Sequence, residues 1–130
     1  MAKATQGPVT TVTHRRTFRA EGGTLTRGFG VVAGTAEDQV KAPTGAAARL
    51  IGVVEETAAE GKTVSVIIFG ECIARAGGVI TRGMRLKAET EGDFIDGNAA
   101  DVETAGYAIS AAAADGDDFV MFVQPIHKRT

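Results

Sequence analysis

The strongest constraint on the fold of this chain is an internal repeat with a spacing of 55 residues. Residues 22–28, with the sequence GGTLTRG, recur as residues 77–83, with the sequence GGVITRG. Of the twenty aligned pairs from 22/77 to 41/96, eight are identical. Such repetition predicts two copies of one structural unit, each too short to bury its own hydrophobic face and therefore packed on the other. We place these internal repeats at about 21–70 and 76–125.

Short apolar runs rich in β-branched residues predict strands rather than helices. Two of the longest are residues 63–69 and 119–123, and turn signals such as 60–62 and 96–98 contain glycine. Strands and turns spaced in this way predict an all-β fold, a small β-barrel or sandwich. Because both runs are apolar at consecutive positions, we expect these strands to be covered on both faces, by the core or by a partner.

The glycines of the repeated motif have a predicted structural role. An apolar residue followed by Thr-Arg-Gly and another apolar run indicates a tight turn, in which Gly28 and Gly83 adopt backbone angles that a β-carbon disfavours. We expect the two glycines to lie at equivalent turns with similar angles. The full set of predicted structural turn glycines is Gly22, Gly23, Gly28, Gly77, Gly78 and Gly83.

The charge of the chain is unevenly distributed. Residues 1–20 contain four basic residues and no acid, residues 127–130 contain two basic residues, and the body between them contains eight basic and sixteen acidic residues. An acidic body argues against nucleic acid as a partner, since that affinity comes mostly from neutralising phosphates.

Residues 1–20 are predicted to form an extended N-terminal arm ahead of a single β domain, residues 21–130. The arm precedes the repeat, so its deletion is expected to spare folding. Its β-branched residues have strand propensity, and it is expected to be disordered in free solution and to add a strand to the edge of a partner. The candidate binding residues of the arm are Lys3, Val9, Val12, His14, Arg15, Arg16, Phe18 and Arg19.

Motifs for catalysis or cofactor binding are missing from the sequence. Gly23 and Gly28 have the spacing of a phosphate-binding loop, but the Lys and Ser/Thr that such a loop requires do not follow. The two histidines lie at opposite ends of the chain, and the single Cys72 lies in a largely apolar predicted strand, where a thiol usually packs as a small hydrophobe. We therefore expect no enzymatic activity, no cofactor and no metal.

The sequence also lacks a membrane signal. No apolar run approaches the roughly 18 residues of a spanning helix, and residues 1–5 lack the apolar core of a signal peptide. We expect no membrane partner and synthesis in a cytoplasm.

A wider pattern of glycines and hydrophobic residues covers roughly residues 20–125. Besides the repeated motif, it includes Gly52-Val53-Val54, the segment 58–66, Gly106-Tyr107-Ala108 and the segment 116–120. In this pattern the chain resembles the small capsid decoration, or cement, proteins of tailed bacteriophages.

The resemblance implies a β-barrel or β-tulip-like body on the outer face of an icosahedral head. Proteins of this kind stabilise the contacts between neighbouring major capsid proteins and usually self-associate as homotrimers. The implied location is the capsid surface of the virion, after synthesis in the cytoplasm of a bacterial host.

Two other classes of protein remain as alternatives. A carbohydrate-binding or adhesin module would present exposed aromatic residues, and the presence of a single tyrosine, Tyr107, without any tryptophan counts against it. An accessory β domain of an enzyme is disfavoured by a start and a finish that look complete, at Met1 and residues 128–130.

Overall fold

A computed structural model of the chain describes residues 13–45, 49–97 and 104–126. Within these residues the chain forms nine β-strands and no helix, which confirms the all-β prediction. None of the described residues belongs to a helix that could span a membrane. The strands are β1 (His14–Ala20), β2 (Gly30–Ala33), β3 (Gln39–Lys41), β4 (Gly52–Val54), β5 (Thr63–Arg75), β6 (Arg85–Ala88), β7 (Phe94–Asp96), β8 (Thr104–Ala108) and β9 (Asp118–Ile126).

Alternating burial shows why the long apolar runs form strands. In β9 the odd-numbered residues from Phe119 to Val123 are buried, and the even-numbered residues between them are partly exposed. β5 begins with the same alternation, but Val66 and Ile67 are both buried. Two adjacent buried residues mean that β5 is covered on both faces at this point, as its continuous apolar run predicts.

The first five strands form a closed barrel. They are hydrogen-bonded in the order β1-β3-β2-β4-β5, and β1 pairs in addition with β5. The pairing of β1 with β3 is parallel, with Ala20 opposite Val40, and the pairing of β1 with β5 is antiparallel, with Phe18 opposite Val64. A sheet whose first and last strands pair has no free edge. The prediction of a barrel-like fold is therefore confirmed.

The long strand β5 is shared between two halves of the molecule. Its first part pairs with β1 and β4, and its second part, from Gly70 to Arg75, pairs with β9. We call the residues up to Phe69 the first half and those from Gly70 the second half. The sheet continues through the second half in the order β5-β9-β8-β6-β7. The last strand of this order, β7, lies beside the end of β5, where Ala76 and Phe94 form a parallel bridge.

Backbone hydrogen bonds identify equivalent positions in the two halves. Leu25 and Ala58 exchange two hydrogen bonds, of 2.8 and 2.9 Å, and Ile80 and Ala112 exchange two of 2.9 and 3.0 Å. β2 and β6 begin 55 residues apart, as do β3 and β7. Residues can therefore be compared between the halves by their place in these ladders.

The equivalent strands begin before the repeats that the sequence shows. The amide of Ala20 donates to Lys62, and the amide of Ala76 donates to Asp117, so β1 corresponds to the second part of β5. These segments read HRRTFRA at 14–20 and GECIARA at 70–76, and they share only the final Arg-Ala. The divergence explains why the repeat signal starts only at residues 22 and 77.

Two hydrophobic clusters fill the interior. The first lies inside the closed barrel and contains small aliphatic residues such as Val31, Val54 and Val66. The second contains larger residues of the second half, such as Phe94 and Met121. This second cluster also includes three residues of the first half, namely Leu50, Val53 and Ile67. The core of the second half is therefore completed by the outer face of the first.

The position of β1 corrects the predicted arm of residues 1–20. Residues 14–20 belong to the barrel and close it, whereas residues 1–12 lie outside the described residues. Only Ala20 of this strand is fully buried, so hydrophobic pattern does not reveal it. Its contribution comes from backbone pairing on two sides, and deletion through Ala20 is expected to open the barrel.

Candidate functional site

The residues singled out for binding on β1 differ in whether they have partners within the chain. Arg15 forms a bidentate contact with Glu55, with Nε–Oε1 and Nη2–Oε2 distances of 2.9 and 3.0 Å. Ser65 also donates a hydrogen bond of 2.7 Å to Glu55. The hydrogen bonds from Arg15 and then Ser65 hold the pKa of Glu55 below its usual value, despite partial burial. Arg15 therefore has an internal partner, across β5.

The other arm residues fall into three groups. Arg19 is also engaged, since it donates to the carbonyl of Gly61 at 3.1 Å and lies 3.7 Å from Asp38. Arg16 is exposed and lies 5.5 Å from the centre of the half-buried Phe18 ring. His14 is exposed at the start of the strand. Lys3, Val9 and Val12 lie outside the described residues.

A row of aromatic rings crosses the junction between the halves on the outside of the sheet. The ring centre of His14 lies 6.0 Å from that of Phe69, Phe69 and Phe122 form an edge-to-face pair at 5.2 Å, and Phe122 stacks on Tyr107 at 5.5 Å. Phe69 is 36% and Tyr107 43% exposed. We call these four residues the aromatic row. An exposed apolar patch of this kind is typical of an interaction surface.

Sequence reasoning missed the aromatic row, although a signal for it was present. The buried residues of β9 are odd-numbered, so strand alternation places Phe122 on the outside. Tyr107 follows Gly106 in β8 and lies opposite Phe122 in the ladder. One face of the Tyr107 ring lies against Phe122, and 43% of the residue is exposed.

The two turn glycines have the backbone geometry expected of them. Gly28 and Gly83 have φ angles of 91° and 87°. In each turn a hydrogen bond runs back to the threonine two residues before the glycine, from Phe29 to Thr26 and from Met84 to Thr81. Of the other predicted turn glycines, Gly22 and Gly23 also have positive φ, and Gly77 and Gly78 do not.

The two arginines of the repeated motif have different surroundings. Arg27 lies 3.3 Å from Asp118, which also accepts a hydrogen bond of 3.0 Å from Arg75. Arg27 therefore joins the turn of the first half to the start of β9. Arg82 occupies the equivalent position in the second half and is exposed.

The remaining candidate chemistry is limited in the described part of the chain. Cys72 is half-buried against the second cluster, and burial raises the pKa of its thiol to about 12, with a smaller contribution from Glu55. A thiol in this state stays protonated at neutral pH and is a poor nucleophile. Among residues 13–45, 49–97 and 104–126, no three His, Cys, Asp or Glu side chains are grouped to hold a metal ion.

The fold defines the chain as an all-β protein built on a closed five-stranded barrel with extra strands. Comparison with protein families then identifies it more closely. The sequence model of the phage cement protein family matches residues 6–124, and the chain belongs to this family. The protein is therefore a structural, capsid-associated component of the phage virion, with a decorating and stabilising role.

Comparison with solved structures agrees on the fold. The N base of the head fiber gp8.5 of bacteriophage phi29 is similar over 87% of this chain and 95% of that chain, with a TM-score of 0.68 and 16% sequence identity. At that identity the likeness concerns the fold alone. No curated protein matched the sequence.

Proposed function

We propose that the protein binds the outer surface of the phage head and holds neighbouring major capsid proteins together, as a homotrimer and without catalysing a reaction. After synthesis in the host cytoplasm, it adds to the assembled shell. The observation that carries this proposal is the position of His14. This residue is exposed at the start of β1 and at one end of the aromatic row, so the preceding segment joins the barrel at an exposed surface.

The chemistry of the N-terminal segment suits an ordered contact with another protein. Residues 1–12 contain one basic residue, Lys3, no acid, and the β-branched run from Val9 to Val12. Ordering such a segment costs roughly 1–2 kcal/mol per residue, so charge alone is too weak to hold it. Strand pairing and burial of Val9 and Val12 against a capsid protein supply the rest.

Two side chains of β1 extend this contact surface onto the barrel. His14 and Arg16 are exposed, and neither forms an ion pair within the described residues, in contrast to Arg15 and Arg19. We assign Arg16 a steering role towards an acidic capsid surface, which makes binding partly sensitive to salt.

The proposal is tested by adding purified protein to undecorated heads and measuring occupancy. A variant lacking residues 1–12 is expected to bind at least about tenfold more weakly, with an unchanged melting temperature because β1 is intact. The matched control lacks residues 127–130, which removes two basic residues from the other terminus, and is expected to bind normally. Arg16→Ala is expected to weaken binding most at low salt.

Two results would contradict the proposal in different ways. Full occupancy by the variant lacking residues 1–12 would show that the N-terminal segment does not contribute to capsid binding. If the intact protein did not bind the outside of heads, the proposed cementing role would be wrong.

A further inference from the structure

We infer that copies of this protein bind one another head to tail, with the second half of one copy placed on the first half of the next. The contact repeats the arrangement that the two halves have within one chain. This inference rests on the self-association proposed above and adds which surfaces meet.

One face of the first half is covered by the second half. Val53 and Ile67 lie opposite each other on β4 and β5, are at most 2% exposed, and pack in the second hydrophobic cluster. Close backbone contact supports this packing, since the amide of Gly30 donates to the carbonyl of Gly92 at 2.8 Å. A β-carbon on Gly92 would overlap the carbonyl oxygen of Gly30.

The same face of the second half is uncovered in the single chain. In the first half Gly30 lies opposite Val53, and in the second half Arg85 lies opposite Tyr107. Tyr107 in turn lies opposite Phe122, as Val53 lies opposite Ile67. The equivalents of two buried aliphatic residues are therefore two surface rings. We call Arg85, Tyr107 and Phe122 the open face.

The exposure of the open face indicates a missing neighbour. Tyr107 is 43% exposed where Val53 is 0% exposed, although the two occupy equivalent ladder positions. Large exposed apolar side chains of this kind are usually interaction sites in soluble proteins. Within one chain, the second half covers this face of the first half. By the same arrangement, the surface that covers the open face belongs to the first half of another copy.

A groove on the first half has the equivalent position to receive the open face. It is lined by residues that include the partly exposed Phe18 and Ile51 and the loop around Glu37. In the strand ladders Val40 lies opposite Ala33 as Phe94 lies opposite Ala88, so Asp38 has the place of Gly92, and Glu37 precedes it in the same loop. Within the chain Gly92 contacts Gly30, so between copies the acidic loop of one copy faces Arg85 of the next. Asp38 lies 3.7 Å from Arg19 of its own copy, so the partner of Arg85 is Glu37.

Between copies, attraction between opposite charges therefore takes the place of the contact that Gly30 and Gly92 form within one chain. The short glycine contact allows the halves of one chain to approach closely, whereas Arg85 and Glu37 span a wider gap with opposite charges. The apolar rings of the open face fill the groove beside Phe18. Because the two surfaces differ, the contact is heterologous, and it builds a ring when its rotation closes. A closed ring of this kind agrees with the proposed homotrimer.

Charge reversal tests this pairing directly with the full-length protein. Sedimentation of the unchanged protein at roughly 100 µM is expected to show an oligomer. Arg85→Glu and Glu37→Arg are each expected to weaken self-association by about tenfold or more, and the double variant is expected to recover it. Tyr107→Glu is expected to dissociate the oligomer. The three positions changed in these variants are exposed, and an unchanged melting temperature of the monomer verifies folding.

The matched control is Ile73→Ser. Ile73 is 38% exposed, close to the exposure of Tyr107, but it lies in a different groove beside Arg15 and Glu55. This variant is expected to associate normally. A double charge reversal no better than the single variants, or equal effects of Tyr107→Glu and Ile73→Ser, would overturn the inference. A monomer that still decorates heads would overturn it while leaving the cementing role intact.

Discussion

The two halves of the chain use equivalent ladders but differ in how they close and in what covers them. In the first half β1 pairs with both β3 and β5, whereas in the described part of the second half the closing contact is one bridge, between Ala76 and Phe94. The outer face of the first half is buried under the second half, and the same face of the second half is exposed. Similar backbones therefore present different surfaces, since this face is covered in the first half and open for binding in the second.

The largest expected effect concerns the bridge of the second half. Phe94 is fully buried, and truncation of a buried phenylalanine to alanine typically costs about 3–5 kcal/mol. Val40 has the equivalent place opposite Ala20, and Val40→Ala is expected to cost about 2 kcal/mol. Denaturant unfolding of both variants measures the difference. A larger cost for Val40→Ala would contradict the idea that the second half depends on one large residue for its closure.

Substitutions of the two turn glycines are expected to have effects of intermediate size on the free energy of unfolding. Gly83→Ala places a β-carbon in open space at positive φ and is expected to cost about 1 kcal/mol. Gly28→Ala adds a contact of 3.2 Å with the backbone nitrogen of Arg75, which donates to the carbonyl of Gly28. We expect this variant to cost roughly 2 kcal/mol. Equal melting temperatures for the two variants would show that contact with the second half does not stabilise the turn of the first half.

The two arginines of the repeated motif are expected to differ by a smaller amount in their contribution to stability. Arg27 is paired with Asp118 at the surface, and exposed ion pairs are worth about 0.2–1 kcal/mol. Arg27→Ala is therefore expected to lower the stability of the monomer slightly, and less so in high salt. Arg82→Ala is expected to leave it unchanged. A stability loss for Arg82→Ala at low protein concentration would reveal an internal partner for this residue.

Carboxylates in the two halves are expected to respond to pH with opposite signs. Glu21 accepts two hydrogen bonds from Thr35, from its amide and its hydroxyl, and its pKa is lowered by them. The resulting stabilisation is present above the unfolded pKa and is lost as pH falls through the folded value. In the second half the pKa of Glu89 is raised by burial and then by Asp93 and Asp115. Its ionisation destabilises the fold, and this effect disappears as pH falls through the raised value.

Melting curves from pH 7 to pH 3 test these signs. Glu89→Gln is expected to raise the melting temperature slightly at pH 7 and to have no effect at the acid end. Glu21→Gln is expected to lower it at pH 7, with the difference again vanishing in acid. Destabilisation by Glu89→Gln at neutral pH would mean that this carboxylate has a favourable partner.

Much of the fold could be predicted because repetition and turn chemistry are local signals. The repeated Thr-Arg-Gly motif placed Gly28 and Gly83 correctly at turns with positive φ. The closure of the barrel could not be predicted, because β1 has one fully buried residue and acts through backbone pairing with strands that are distant in sequence. The sequence alone therefore assigns this strand to the arm.

The candidate site was predicted less completely than the fold. Net charge identified the basic residues before Gly22, but it could not show that Arg15 is already paired with Glu55, which lies forty residues later in the chain. The aromatic row joins residues from four strands and depends on strand order. Whether a strand face is covered by the other half, as at Val53, or exposed, as at Tyr107, is a property of tertiary packing.

A cryo-EM map of decorated heads would show both proposed contacts, between copies and with the shell. We expect density on the outer surface, with Tyr107 and Phe122 of one copy seated in the groove beside Phe18 of the next. We also expect the chain preceding His14 to contact a major capsid protein. Isolated copies with the open face in solvent, or copies bound with His14 turned away from the shell, would contradict these expectations.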